Sequence, residues 1–125
     1  MWIDSHCHLH YDYSPKTTED LVREALDEGV THLMTIGTEL QSLSKVVEIS
    51  EKFPNVHHTA GVHPHDASAI SEGDIDRLRQ AAKHPKCRAI GEIGLDTHYE
   101  HSPLDRKSTR LNSSHVSESR MPSSA

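Results

Sequence analysis

The chain is expected to fold as an α/β protein on a parallel sheet, and three features of the sequence point there. Strand-like segments begin near residues 2, 30, 56 and 87, and each gap between them holds one amphipathic helix. Alternating strands and helices pack as a parallel sheet with right-handed crossovers, either doubly wound or closed into a barrel. Histidine- and carboxylate-bearing motifs follow the first, third and fourth strands, at the edge where such sheets build their sites.

The elements follow in order. Trp2 to Asp4 starts a short strand. Thr17 or Thr18 caps a helix that runs to about Glu28, with Leu21, Val22, Ala25 and Leu26 on one face, and Gly29 ends it. Val30 to Ile36 is a β-branched second strand. A helix from about Glu39 to Lys52 turns Leu40, Leu43, Val46 and Val47 inward, and Pro54-Asn55 breaks the chain. Val56 to Val62 is the third strand. Ser71 caps a helix with Ile75, Leu78, Ala81 and Ala82 on its apolar face, and His84-Pro85 stops it. Cys87 to Ile93 is the fourth strand.

Composition narrows the class. At 125 residues the chain holds one domain, and with 34% hydrophobic and 26% charged residues it is expected to be soluble. No apolar run is long enough to cross a bilayer. The start, MWIDSHCHLH, lacks the basic stretch and apolar core of a signal peptide, so a cytoplasmic location with reduced Cys7 and Cys87 is expected. A net charge of −6 argues against a basic nucleic-acid surface. It leaves room for a nuclease whose positive charge comes from a metal. The unusual count is histidine, with 12 residues.

Three constellations carry chemistry. In His6-Cys7-His8, residues two apart on a strand point to the same side, so both imidazoles converge and Cys7 faces the other way. Alone, this pattern also fits two surface histidines at a strand end. Gly61-Val62-His63-Pro64-His65 repeats the spacing, with Pro64 stiffening the turn. It fits a proline turn with solvated histidines as well as a functional pair. In Gly91-Glu92-Ile93-Gly94-Leu95-Asp96 a carboxylate ends an apolar strand, which is costly unless a cation or donors meet it. The flanking glycines allow close approach of another group. All three constellations fall at the carboxyl ends of strands, a coincidence three accidents would not produce. His32, His57, His58 and His84 are read as structural. His10, Tyr11 and Tyr13 lie in the loop after the first pair, either lining a pocket or simply exposed.

IDSHCHLH, GVHPHDA and GEIGLD, in this order and spacing, resemble the motifs of the TatD family of metal-dependent DNases, over essentially all of residues 1–104. The resemblance implies the first four βα units of a TIM-type (β/α)8 barrel, truncated, since such barrels run to about 250 residues. It implies a site for two divalent metal ions (Zn2+, Mg2+ or Mn2+). His6 and His8 are then ligands of one metal, Glu92 is a carboxylate ligand bridging both, and His63 and His65 contact the substrate phosphate. The family takes two further histidines and a late aspartate from downstream strands that this chain does not contain. The implied reaction of the intact protein is phosphodiester hydrolysis of DNA. An ester hydrolase of the D-aminoacyl-tRNA deacylase type, or a truncated metal-binding remnant without activity, is the alternative. The partner is a DNA or another phosphodiester or ester substrate, with no membrane and no obligate protein partner.

The chain divides into 1–104, the amino-terminal half of a metallo-hydrolase barrel, and 105–125, an expected non-native tail. The tail is crowded with serine and has no apolar period. Read as codons, Asp105 to His115 matches a string resembling a standard short-read sequencing adapter. Ser119 to Ala125 matches its continuation, after a gap of sample-barcode length. Leu104 straddles the junction. The tail carries Arg106, Lys107, Arg110 and Arg120 against Asp105 and Glu118, so residues 1–104 are more acidic than the whole. It is expected to be poorly ordered, because Leu111, Val116 and Met121 are too sparse to offset the entropy of ordering, about 1–2 kcal/mol per residue.

Overall fold

The computed structural model describes residues 1–95. Asp96 and the 105–125 tail lie outside the described residues. Four strands, β1 (Trp2–Cys7), β2 (Val30–Thr35), β3 (Val56–Ala60) and β4 (Cys87–Ile90), alternate with three helices, α1 (Thr18–Asp27), α2 (Leu40–Lys52) and α3 (Glu72–Ala82). The sheet order is β1-β2-β3-β4 and every neighbouring pair is parallel. Sequential order with one helix per crossover is the expected α/β architecture. Among the described residues β1 and β4 are the sheet edges.

Local chemistry sets the boundaries. Thr17 and Asp20 cap α1 reciprocally: Asp20 N donates to Thr17 Oγ1 at 3.1 Å and Thr17 N to Asp20 Oδ2 at 3.0 Å. Gly29 follows at φ +87°, the left-handed conformation that lets α1 turn directly into β2. Ser71 N and Oγ both donate to Asp74 Oδ2, at 3.0 and 2.8 Å, at the start of α3.

The helices cover one face of the sheet. Leu9, Val22, Leu33, Ile49 and Val56 form one buried cluster there, with Cys7 packed against it. Leu43, Ala60, Val62, Ile70 and Leu78 form a second. Each valine, leucine or isoleucine side chain taken out of water there contributes roughly 1.5–3 kcal/mol. His58 is fully buried in this layer, with its Nδ1 2.8 Å from Ser50 Oγ and its Nε2 3.3 Å from the Ala81 carbonyl. It is a core histidine with both nitrogens satisfied, as its place inside a strand suggested.

Several details differ from the sequence expectation. β1 is longer, reaching Cys7, because it pairs with β2 through Cys7↔Thr35. β3 stops at Ala60 and β4 at Ile90, short of Val62 and Ile93. Pro64–Ala69 forms a 3₁₀ segment where only a turn was expected. Leu26, placed on the inner face of α1, is 46% exposed. Trp2 and Ile3 are also largely exposed on the edge strand β1.

Candidate metal centre

The carboxyl ends of four adjacent parallel strands share one edge of the sheet, and every functional candidate stands there. His6 is in the last turn of the β1 pleat and His8 one residue past its end. Cys7 between them turns toward the helices, where its Sγ donates to the Met34 carbonyl at 3.3 Å. That burial, with Asp4 nearby, pushes its thiol up to about 12. Backbone alternation therefore delivers the two imidazoles to the opposite face, as their spacing requires.

Glu92 reaches this face from the turn after β4. One carboxylate oxygen, Oε2, lies 3.6 Å from His6 Nε2, and the other, Oε1, lies 3.4 Å from His63 Nε2. His6, His8 and Glu92 each offer a ligand atom within 4.8 Å of the other two. Ligands at about 2.1 Å from one ion are at most about 4.2 Å apart, so small side-chain rotations would close these three around a cation. His8 Nδ1 is buried without a hydrogen-bond partner among the described residues. Neutral imidazole and carboxylate suit zinc, and also manganese or magnesium where oxygen predominates. The residues present thus fit one divalent ion.

His63 and His65 stand at the side of the same cleft. Their rings meet edge to face at 4.3 Å. His63 Nδ1 accepts from the His65 backbone N–H at 3.2 Å. In the neutral ring the remaining proton is then on Nε2, the atom that faces Glu92. His63 is held by its own backbone N–H, which donates to the Thr38 carbonyl at 2.7 Å.

The cleft has a volume of about 380 Å³ and is lined by His8, Tyr11, Thr38, Glu39, His63, His65, Asp66 and Glu92. All five expected site residues, His6, His8, His63, His65 and Glu92, therefore meet at one mouth of the sheet. Thr38, Glu39 and Asp66 were not anticipated. The signal for Glu39 was its place just beyond β2, the one strand end without a histidine motif. Tyr11 stacks on His8 with ring centroids 4.8 Å apart and planes 11° apart. Of the loop residues left open by the sequence, Tyr11 lines the cleft and Tyr13 is exposed. His10 is buried, with burial first and the neighbouring His8 second lowering its pKa to about 4. The expectation for the glycines is corrected: a Cβ on Gly91 would meet nothing, whereas a Cβ on Gly61 would stand 2.5 Å from the Gly91 carbonyl. The close approach is made by Gly61, not by Gly91.

Known proteins are similar to this chain in sequence and fold. The family model described as TatD related DNase matches residues 3–117. The "uncharacterized metal-dependent hydrolase YabD" of Bacillus subtilis is 30% identical over 105 residues, covering 84% of this chain and 41% of YabD. The "3'-5' ssDNA/RNA exonuclease TatD" of Salmonella typhimurium is 36% identical over 81 residues, covering 65% of this chain and 31% of the relative. The crystal structure of YJJV, a TatD homologue from Escherichia coli, superimposes with a TM-score of 0.79 at 26% identity, over 93% of this chain and 46% of that one. The chain spans less than half the length of these relatives. Its described sheet corresponds to the first part of their barrel, the fold expected from the sequence.

Proposed function

We propose, because this chain belongs to the family of TatD-related DNases, that the whole protein is a metal-dependent hydrolase that cleaves phosphodiester bonds in DNA. The observation that carries the reading is Glu92, whose two carboxylate oxygens face imidazoles on opposite sides, His6 and His63. With His6 and His8, Glu92 would hold a divalent ion, and its second carboxylate oxygen would be free to serve a further ion of a two-metal site. Metal ions bound there would lower the pKa of a water and offset the charge gathering on the phosphate.

The chain's own groups supply the rest. His63, whose Nε2 lies 3.4 Å from Glu92 Oε1 on the wall of the cleft, would turn to donate to a phosphate oxygen once a cation holds Glu92, and His65 beside it would hold a second. Tyr11, stacked on His8, offers a flat face for a nucleobase or sugar at the entrance. The acidic lining from Glu39 and Asp66 repels a phosphate unless cations are present, which makes substrate binding depend on the metal. The curated relatives named for exonuclease activity on single-stranded DNA and RNA favour a nucleic-acid substrate over an aminoacyl ester.

The 125-residue chain is read as inactive by itself. Among the described residues one group of three potential ligands converges, His6, His8 and Glu92. A hydrolytic two-metal site needs both ions held with open positions for water and substrate. Residues 105–125 are read as a non-native tail. The test is hydrolysis of a short single-stranded DNA with Mg2+, Mn2+ or Zn2+. The full-length protein cleaves it, and chelator or Glu92→Ala removes the activity; the 125-residue chain does not cleave. Turnover by the purified 125-residue chain, abolished by His6→Ala, would overturn the ligand count. A metal-independent full-length protein would overturn the functional reading.

A further inference from the structure

We propose that the buried hydroxyl of Thr59 is a positioning group for Glu92, fixing the turn from which that carboxylate reaches His6 and His8. The inference rests on the metal-centre reading above. Glu92 lies beyond the end of β4, so the sheet ladder alone does not fix it. What fixes it is a closed ring of hydrogen bonds across three strand ends. The Gly37 N–H, after β2, donates to Thr59 Oγ1 at 3.1 Å. The Thr59 hydroxyl, on β3, donates to the Gly91 carbonyl at 2.7 Å. The Glu92 N–H donates back to the Gly37 carbonyl at 3.3 Å, which closes the ring.

The surroundings are shaped for this ring. Thr59 is 3% exposed, so its hydroxyl is withdrawn from water and each partner counts. The register between β3 and β4 shifts between His58 and Thr59, which brings Thr59 opposite Ala89. A Cβ on Gly37 would stand 2.7 Å from the Thr59 carbonyl, and a Cβ on Gly61 2.9 Å from the Glu92 nitrogen. Only glycine at both positions allows the backbones to approach closely enough. A hydroxyl with one donor and one acceptor function, sitting between an N–H and a C=O, satisfies both. Valine at position 59 would keep the shape and leave both backbone groups unpaired. The Thr59 hydroxyl bonds to backbone groups, the Gly37 N–H and the Gly91 carbonyl, so its role is to place Glu92 rather than to bind.

The test is Co2+ titration of the 125-residue chain, followed by the visible absorption of the bound ion. Far-UV circular dichroism and a urea midpoint are recorded on each variant. His6→Ala abolishes binding. Thr59→Val, or Thr59→Ala if the valine variant loses its far-UV spectrum, raises Kd by about 10–100-fold, the usual loss on removing an outer partner of a ligand. Thr59→Ser restores the parent Kd. Ser50→Ala, which removes a buried hydroxyl from the helix side of the same sheet, lowers the urea midpoint without changing Kd. A folded Thr59→Val or Thr59→Ala chain that binds Co2+ as tightly as the parent overturns the proposal. So does a Thr59→Ser chain as weak as the alanine variant. Unchanged binding by His6→Ala instead defeats the metal-centre reading itself, so the two failures are distinguishable.

Discussion

His63 Nε2 lies 3.4 Å from Glu92 Oε1, on the carboxylate oxygen opposite the one that faces His6. This separates the roles of two histidines that the sequence presents in similar motifs. His6 belongs with the converging ligand atoms, whereas His63 reaches the same carboxylate from the wall of the cleft. The expected consequence is a split between metal affinity and activity. His63→Ala in the full-length protein should lower kcat/KM by about 100-fold, the scale for losing one hydrogen-bond donor to a developing anion. Its metal content by mass spectrometry should stay that of the parent. Loss of metal in step with activity would make His63 a ligand instead.

Gly61 presses on the strand end that precedes Glu92. Gly61→Ala forces a Cβ to within 2.5 Å of the Gly91 carbonyl. Backbone cannot rotate away as a side chain does, so the strands must part. The expected cost is about 1–3 kcal/mol, the range for overpacking a filled site, measured by urea denaturation. Gly91→Ala, where a Cβ meets nothing within 4 Å, should cost less. Equal losses at the two positions would show that the contact at Gly61 is relieved elsewhere.

Burial keeps two histidines neutral. It lowers the His10 pKa to about 4 and lowers that of His58 against the opposing pull of the Ala81 carbonyl. In the unfolded chain both titrate near 6.5. The unfolded state therefore binds more protons below that value, and stability rises with pH across the interval. The stability contributed by the neutral rings is present above about pH 6.5 and falls as pH drops toward about 4. Thermal melts of the metal-free chain should show Tm declining over that interval. His58→Gln should make the decline shallower. A flat Tm across it would mean that the two rings are hydrated in the folded chain.

Much of the site was legible because strand geometry is strict. His6 and His8 had to share a face once β1 was a strand, and Cys7 had to leave it. The parallel order put the ends of β1, β3 and β4 at one edge, so Glu92 and His63 were brought to His6 by topology. Local spacing could not show what happens across strands. The hydroxyl of Thr59 meets Gly37 and Gly91 through residues 22 and 32 positions away, and nothing in the run VHHTAGV distinguishes it from any β-branched strand residue. The glycine error has the same origin. A sequence shows which residue lacks a side chain but not which neighbour occupies the space, and that neighbour sits on another strand. His10 looked like a loop histidine because its burial comes from the fold around it.

The central claim is that His6, His8 and Glu92 form one metal site, and Zn2+ titration of the 125-residue chain followed by the imidazole ¹⁵N resonances tests it most directly. Stoichiometric zinc should shift a ring nitrogen of His6 and of His8 together, leave the buried His58 unmoved, and lose both shifts in Glu92→Ala. Shifts confined to His32, His57 or His84, or shifts at His6 and His8 that survive Glu92→Ala unchanged, would contradict it.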